Sequence, residues 1–259
     1  MTTAPAFTKR SEQEKKRKLD EILIEMKDMY EKGEDDQCFT KFPRTTLMYG
    51  EKIKAMLHQK KLTHPTNGDP HIWIHGNPGC GKSALMSYIY PNTYKKNLYN
   101  RFFDLYDPAI HTHVMLEDLD HDAVDKLSTN FLKTLCDEGG FPIDQKYKTP
   151  QLARASILVT SNFSIPEIIH QSNEANVFGK ESNCKAIQRR FWQVEGRQLL
   201  RSLGLKLISK YEIGMLKKQG NADPGKLFMT WDYLTDAPKC EPIKTPEEYQ
   251  AIIKELCYQ

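Results

Sequence analysis

Short apolar runs alternate with amphipathic stretches from residue 71 onward. This pattern predicts a parallel sheet with helices on its faces. The predicted strands are residues 71–75, 93–98, 113–117, 156–160 and 191–194. The predicted helices are residues 82–90, 122–138, 166–171, 183–190, 198–218 and 246–257. The alternation favours an α/β fold for most of the chain.

A helical N-terminal part precedes this region. Ser11 and Glu14 fit a capping box, which predicts a helix from there to about Glu31. Its apolar face contains Leu19, Ile22, Leu23, Met26 and Met29 or Tyr30. A second helix is expected within residues 45–60, and the prolines and Asn-Gly of residues 62–70 mark a boundary. We therefore divide the chain into an N-terminal helical subdomain (1–62), a core (63–196) and a C-terminal helical extension (197–259).

Composition narrows the class of protein. The 259 residues are 39% hydrophobic and 27% charged, which is typical of a soluble globular chain. No apolar run approaches the roughly 20 residues that cross a bilayer, and the N-terminus lacks the apolar segment of a secretory signal. We expect an intracellular protein without a membrane partner, whose six cysteines are free thiols. A net charge of +3 is too small to predict a nucleic-acid partner.

A phosphate-binding loop is the strongest chemical signal. Residues 76–83 read GNPGCGKS and match G-x-x-x-x-G-K-S/T between a predicted strand and a predicted helix. Lys82 is expected to reach the β and γ phosphates, and Ser83 to ligate Mg²⁺. The sequence therefore predicts a site for ATP and Mg²⁺. The residues predicted to bind the nucleotide are Gly76, Asn77, Pro78, Gly79, Cys80, Gly81, Lys82, Ser83 and Ala84.

Two acids and an amide follow later strands. Glu117 is expected to join Ser83 in the magnesium shell, and Asp118 to orient or deprotonate the attacking water. Spacing does not separate the two roles, so they can be exchanged, and Asp118 is equally a candidate metal ligand. Asn162 ends the run ILVTSN and is expected to sense or position the water near the γ phosphate.

The segment LKTLCDEGGFPIDQKYK (residues 132–148) selects a family. Together with the loop, the acidic pair and TSN, it resembles the superfamily-three helicases of small DNA viruses. The strings FFDLYDP, FPIDQKYK and ARASILVTSN are most similar to replication initiator (Rep) proteins of circular single-stranded DNA viruses. IDQKYK also resembles parvoviral non-structural replication proteins, so both lineages stay open. The resemblance covers roughly residues 38–195.

This resemblance implies a P-loop AAA+ type fold and an ATP-dependent DNA helicase with 3′ to 5′ translocation in viral DNA replication. It also implies a β-hairpin whose residues hold single-stranded DNA. Lysines alternating on an extended run point to one face and suit phosphates, while an aromatic ring can stack on bases. The residues concerned are Lys146, Tyr147 and Lys148, with Lys133 on the preceding helix.

An arginine that acts between subunits is implied as well. Arg190 aligns best with the family's arginine that reaches a neighbouring triphosphate, and Arg189 is the alternative. The resemblance thus implies a homo-oligomeric ring, a hexamer, assembled by the N-terminal helical subdomain. An alternative explains the N-terminal helix nearly as well: it packs against its own domain and has no role in assembly.

Several alternatives remain open from sequence. Basic residues at 9–10 and 15–18 resemble a two-part nuclear import signal, which favours the host nucleus, but a solvated basic helix end explains them equally. The paired histidines and tyrosine of a nicking domain are missing ahead of the loop, so no nickase activity is expected. Rival functions are an RNA-virus ATPase, or a DNA-packaging or assembly ATPase that does not separate strands.

Overall fold

The computed structural model describes residues 12–61, 68–107, 110–145, 151–173, 177–221 and 223–258. The chain forms two compact units. Among the described residues, the first contains 12–61 and 151, and the second contains 68–107, 110–145, 152–173, 177–221 and 223–258. No helix in the described ranges is both long and apolar enough to cross a bilayer.

The first unit is helical. It contains α1 (Glu12–Glu31), α2 (Asp35–Lys41), α3 (Pro43–Thr45), a π-helical turn (Thr46–Gly50) and α4 (Glu51–Lys61). Met26 on α1 and Cys38 on α2 are fully buried, as the apolar face predicted for α1 requires. The helix predicted at 45–60 is confirmed and begins earlier, while α2 was not predicted.

Some N-terminal predictions fall outside the described residues. They are Ser11 of the predicted capping box and the basic residues 9–10. The described part of the expected break at 62–70 is residues 68–70, which lie outside any helix or strand.

The second unit is built on a five-stranded sheet. Its strands are β1 (His71–His75), β2 (Thr93–Lys95), β3 (His113–Leu116), β6 (Ser156–Ser161) and β7 (Phe191–Glu195). They pair in the order β2-β3-β6-β1-β7, and every pair is parallel. β6 therefore lies between the strand before the phosphate loop and the strand before the acidic pair. The predicted P-loop AAA+ type sheet is confirmed.

Helices cover both faces of this sheet. One face carries α5 (Lys82–Ile89), α10 (Gly196–Ser202) and α12 (Pro246–Tyr258). The other carries α6 (His121–Leu127), α7 (Thr129–Leu135), α8 (Ile165–Gln171) and α9 (Val177–Gln188). Side chains of a strand alternate between faces, so Ile72 and Ile74 pack with α5 while Trp73 packs on the opposite side.

Two long predicted helices are interrupted. Residues 122–138 divide into α6 and α7 at Ser128, which has a φ of 74° and caps α7 by accepting from the Phe131 amide. Residues 198–218 divide into α10 and α11 (Lys210–Lys218), with strand β8 (Leu205–Leu207) after Gly204. Gly204 has a φ of 64°, which ends a helix readily.

The structure corrects the prediction of a helical extension at 197–259, because this region also contains strands. β8 pairs with β9 (Phe228–Asp232), which pairs with β10 (Ala237–Pro238), and both pairs are antiparallel. A 3-10 helix (Pro224–Leu227) leads into β9. A second small sheet joins β4 (Phe141–Ile143) to β5 (Gln151–Ala153), where the resemblance implied a hairpin.

Candidate phosphate-binding site

The phosphate loop connects β1 to α5, as its motif requires. Gly76 has a φ of 133° and Gly81 a φ of 90°. A Cβ on Gly76 would lie 2.8 Å from Glu195 Oε1, and one on Gly81 would lie 3.1 Å from Leu207 Cδ1. Both positions therefore favour glycine because of their backbone conformation, and a side chain at either one would also require its neighbour to shift.

Lys82 is held inside the loop. It is only 6% exposed, although its side chain carries a charge. Its Nζ donates to the carbonyl oxygens of Gly76 (2.8 Å) and Asn77 (3.1 Å) and to Asn162 Oδ1 (3.1 Å). Two predicted catalytic residues from distant parts of the chain, Lys82 and Asn162, are thus in direct contact.

Thr160 connects the loop to the acidic pair. Its Oγ1 lies 3.3 Å from Ser83 Oγ and accepts from the Asp118 amide at 3.0 Å. Leu158 packs with α5, and Thr160, two residues later in β6, is on the same face. Sequence reasoning missed Thr160, although a hydroxyl at that position of an apolar strand was a usable signal.

The two acids face different surroundings. Met115 packs with α5, and alternation places Glu117 on that face, the one that carries Ser83. Glu117 Oε2 pairs with Lys95 Nζ at 2.9 Å, and Lys95 belongs to the neighbouring strand β2. Asp118 is exposed and has a φ of 52°, so the chain turns away from the strand direction there. Lys95 was not predicted as a site residue.

These residues fit a magnesium nucleotide. Mg²⁺ is commonly bound through one or two carboxylates together with substrate phosphates and water. Ser83 and Glu117 offer a hydroxyl and a carboxylate of that kind. Across the described ranges, the structure has no cluster of three or more histidine, cysteine, aspartate or glutamate side chains suited to a metal ion. Ser83 and Glu117 leave the remaining coordination positions of Mg²⁺ to phosphate oxygens and water, so they fit a metal that binds together with a nucleotide.

His75 precedes the loop at the end of β1. Burial lowers the pKa of its imidazole, and the nearby Lys82 acts in the same direction, while Glu167 and Glu195 oppose the shift. The net downward shift of the pKa favours the neutral ring at neutral pH. His75 therefore adds little positive charge to the phosphate site.

The predicted DNA-binding residues are divided between two places. Lys146, Tyr147 and Lys148 lie outside the described residues, between β4 and β5. Lys133 on α7 donates from Nζ to Asn183 Oδ1 on α9 at 2.9 Å. Its ammonium is thus engaged with a neighbouring helix.

Arg190 is far from the phosphate loop of its own chain. It directly precedes β7, whose first residue Phe191 pairs with His71 at the start of β1, whereas the loop follows the end of β1. The residues of β1 extend over about 16 Å at the usual rise of a strand. Arg190 Nη1 donates to the Ala186 carbonyl at 2.7 Å, and Arg189 beside it is exposed. Neither arginine therefore meets a triphosphate bound in its own loop.

His71 shares the amino end of the sheet with Arg190. Burial, with the nearby Arg190 charge adding to it, lowers the pKa of His71 to about 4. Its Nδ1 accepts from the Ile157 amide at 2.9 Å, which also requires an unprotonated nitrogen.

Similarity to known proteins is partial. A family model described as Nephrocystin 3, N-terminal, matches residues 52–139, less than half of the chain. No curated protein matches the chain.

Among the solved structures that match the chain are three that share little sequence with it. DnaI is 16% identical over 56% of this chain and 84% of its own, with a TM-score of 0.35. JCV helicase is 15% identical over 83% of this chain and 56% of its own, with a TM-score of 0.33. JCV helicase with a small molecule bound is 13% identical with the same coverage and a TM-score of 0.35. The chain thus spans about half of JCV helicase, and the fold is established by its own sheet order and phosphate loop.

Proposed function

We propose that this chain is an ATP-dependent DNA helicase of the superfamily-three kind, acting in the replication of a small single-stranded DNA virus. The observation that carries the proposal is the contact of Lys82 with Asn162, together with Thr160 joining Ser83 to Asp118. Strand ends and the loop thereby converge on the site that we propose for the triphosphate. In this proposal the enzyme acts in the host nucleus.

The residues divide the chemistry in the following way. Lys82 exchanges its two loop carbonyls for the β and γ phosphates, and Ser83 with Glu117 holds Mg²⁺. When bound, the metal neutralises negative charge on the phosphates. Asp118 and Asn162 orient the attacking water, with Asp118 accepting its proton. The roles of Glu117 and Asp118 are exchangeable in this scheme, although the face assigned to Glu117 favours it as the metal ligand.

We propose that the hairpin binds single-stranded DNA. Lys146 and Lys148 contact phosphates, and Tyr147 stacks on bases. Translocation proceeds 3′ to 5′, as the resemblance implies. Lys133 contributes less directly, because Asn183 already accepts from its ammonium.

Self-assembly into a ring, a hexamer by resemblance, completes the proposal. The helical unit exposes several large apolar side chains, which are available for contact with another subunit. They are Ile24, Phe39, Leu47, Met48 and Met56. Their exposure supports an oligomerisation role for the unit.

Phosphate release and unwinding of a forked duplex test the proposal. Lys82→Ala should lower ATP hydrolysis by about a hundredfold or more, because the triphosphate loses the lysine of its loop. Lys217→Ala, on α11, is the matched control and should hydrolyse ATP like the wild type. Wild-type protein that releases no phosphate with DNA and Mg²⁺ present would overturn the proposal.

The unwinding arm separates the rival functions. The double variant Lys146→Ala with Lys148→Ala should lose unwinding and the stimulation of hydrolysis by DNA. Hydrolysis stimulated by RNA alone would favour an RNA-virus ATPase. Hydrolysis stimulated by duplex DNA without strand separation would favour a packaging or assembly ATPase.

A further inference from the structure

A buried glutamine lies just past the end of β4, in the β4–β5 sheet that the proposed function takes as the DNA-binding hairpin. The end of β4 together with this residue is called the hairpin root. Gln145 follows β4 and is 8% exposed. Its Nε2 donates to the carbonyl oxygens of Phe103 (2.8 Å) and Tyr106 (2.7 Å). The Phe103 amide in turn donates to the Asp144 carbonyl at 2.8 Å. These hydrogen bonds join the hairpin root to one short loop.

That loop, residues 97–107 after β2, is called here the aromatic loop. The ring of Phe103 packs against Phe141 of β4, with centroids 5.5 Å apart. Tyr94 of β2 packs against both Phe103 and Tyr106. The aromatic loop is thus packed between the hairpin root and the edge strand of the sheet.

A buried lysine holds the other end of the aromatic loop. Lys96, 5% exposed, directly follows β2. Its Nζ donates to the carbonyl oxygens of Asn97 (2.7 Å) and Asn100 (2.5 Å), and it lies 5.0 Å from the centroid of the Phe103 ring. Lys96 therefore links the end of β2 to Phe103 within a packed interior, which is the kind of environment that transmits strain.

The same strand end reaches the phosphate site. Lys95 precedes Lys96 and pairs with Glu117 at 2.9 Å. Lys95 and a metal ion compete for the Glu117 carboxylate. A bound divalent cation is the larger local charge, so its binding weakens the ion pair between Lys95 and Glu117. A continuous series of contacts thus runs from Glu117 through β2 and the aromatic loop to Gln145.

We infer that Gln145 is a positioning residue that couples the hairpin to nucleotide binding. Lys95 loses Glu117 when magnesium nucleotide binds, the end of β2 and the aromatic loop adjust, and the Gln145 amide carries that adjustment to the hairpin root. The inference rests on the proposed function, because it takes Glu117 as a metal ligand and the hairpin as the DNA contact. It also explains why FFDLYD and FPIDQ occur together, since the two strings contact each other in the fold.

The test measures affinity for a fluorescent oligothymidylate with and without a non-hydrolysable ATP analogue and Mg²⁺. Coupling between two sites is reciprocal and typically changes affinity by about five- to 150-fold, so the wild type should show a change of about fivefold or more. Gln145→Leu cannot donate to either carbonyl. The ratio of its two affinities should fall to within about twofold of one, while its nucleotide affinity stays close to that of the wild type.

Gln250→Leu is the matched control. Gln250 Nε2 donates to the Ile89 carbonyl at 2.6 Å, so this variant also removes a glutamine side chain that donates to a backbone carbonyl. It should keep the wild-type ratio. Thermal unfolding checks that each variant is folded, and Gln145→Met replaces Gln145→Leu if the latter is not.

Hydrogen exchange on the unaltered protein gives an independent readout. The Phe103 amide donates to Asp144, so it should exchange slowly with and without nucleotide. Fast exchange in both states would show that loop and hairpin root are not held together and would overturn the inference.

The outcomes separate the inference from the proposed function. A wild-type ratio retained by Gln145→Leu or Gln145→Met overturns the coupling role and leaves the helicase proposal standing. A wild type that hydrolyses ATP but binds DNA equally with and without nucleotide also overturns the coupling. If the wild-type protein releases no phosphate from ATP, the proposed function is overturned, and with it the basis of the coupling.

Discussion

The Thr160 hydroxyl contacts both the Ser83 hydroxyl and the backbone of the acidic pair. Thr160→Val keeps the shape of the side chain but removes both interactions. The Asp118 amide then loses its acceptor, and Ser83 loses a partner that orients its hydroxyl. We expect ATP turnover to fall about tenfold or more, and the Mg²⁺ concentration that gives half-maximal rate to rise. The reason is that Ser83, a proposed ligand of Mg²⁺, loses the group that orients it.

Thr160→Ser is the control for this substitution, because it retains the hydroxyl and removes one methyl group. Steady-state hydrolysis over a magnesium titration checks both variants. Thr160→Ser should stay within about threefold of the wild type, since it changes packing alone. Equal rates for Thr160→Val and Thr160→Ser would show that the hydroxyl has no role in the site.

The residues of the phosphate site were predictable where one short segment contains the signal. The motif of residues 76–83 specifies Lys82 and Ser83 by spacing, and the acidic pair and Asn162 each follow an apolar run. Thr160 and Lys95 were missed because their roles depend on which strands are neighbours. β6 pairs with β1 and β3, and β2 pairs with β3, and such pairing is a property of the whole sheet.

At the scale of elements, the hairpin depends on a glycine that precedes β4. Gly140 has a φ of 94°, and a Cβ there would lie 2.7 Å from the Ala153 carbonyl oxygen of β5. Gly140→Ala combines an unfavourable backbone conformation with a clash against backbone atoms. We expect a loss of about 2–4 kcal/mol in the free energy of unfolding, measured by urea titration.

Gly220→Ala isolates the backbone part of that cost. Gly220 has a φ of 67°, and a Cβ there would have no neighbouring atom within 4 Å, so the conformational penalty alone applies. A loss of about 1 kcal/mol is expected. If both variants lost the same stability, the close approach of Gly140 to β5 would be without energetic consequence.

The strands of the main sheet were predicted to within three residues at their ends, because buried parallel strands are short continuous apolar runs. The failures occur where local pattern and tertiary pairing disagree. Residues 198–218 continue a helical pattern, yet Leu205–Leu207 pairs with β9 and becomes a strand. Ser128 likewise interrupts a helical pattern because its φ is positive. A positive φ is uncommon for serine, so this break could not be predicted from the residue type.

At the scale of the whole molecule, the order of motifs predicted the fold class, because each motif follows a strand and the strands form one parallel sheet. Assembly is harder to predict from sequence, since it depends on surfaces. The exposure of apolar side chains on the helical unit and the distance of Arg190 from its own loop are properties of the folded chain. Both agree with a site completed by a second copy, which is the premise of the last prediction.

That prediction concerns Arg190, which precedes β7 at the end of the sheet opposite the phosphate loop. A role in hydrolysis therefore requires a neighbouring subunit. Arg190→Ala should bind nucleotide like the wild type and hydrolyse it about a thousandfold more slowly, as for other arginines supplied in trans. Arg201→Ala, which removes an exposed arginine of α10, is the matched control and should keep hydrolysis near the wild-type rate, whereas loss of hydrolysis in Arg189→Ala instead would assign the role to Arg189.

Mixing variants tests whether the arginine acts between subunits. A Lys82→Ala subunit cannot hydrolyse ATP but retains Arg190, which it can present to the intact loop of an Arg190→Ala neighbour. Random mixing in equal amounts makes such an interface about one in four, so about a quarter of wild-type hydrolysis should return although each variant alone is inactive. If rings that contain both variants recover no hydrolysis, Arg190 does not act in trans. It would then have no role in hydrolysis at all, because the phosphate loop of its own chain lies at the far end of β1.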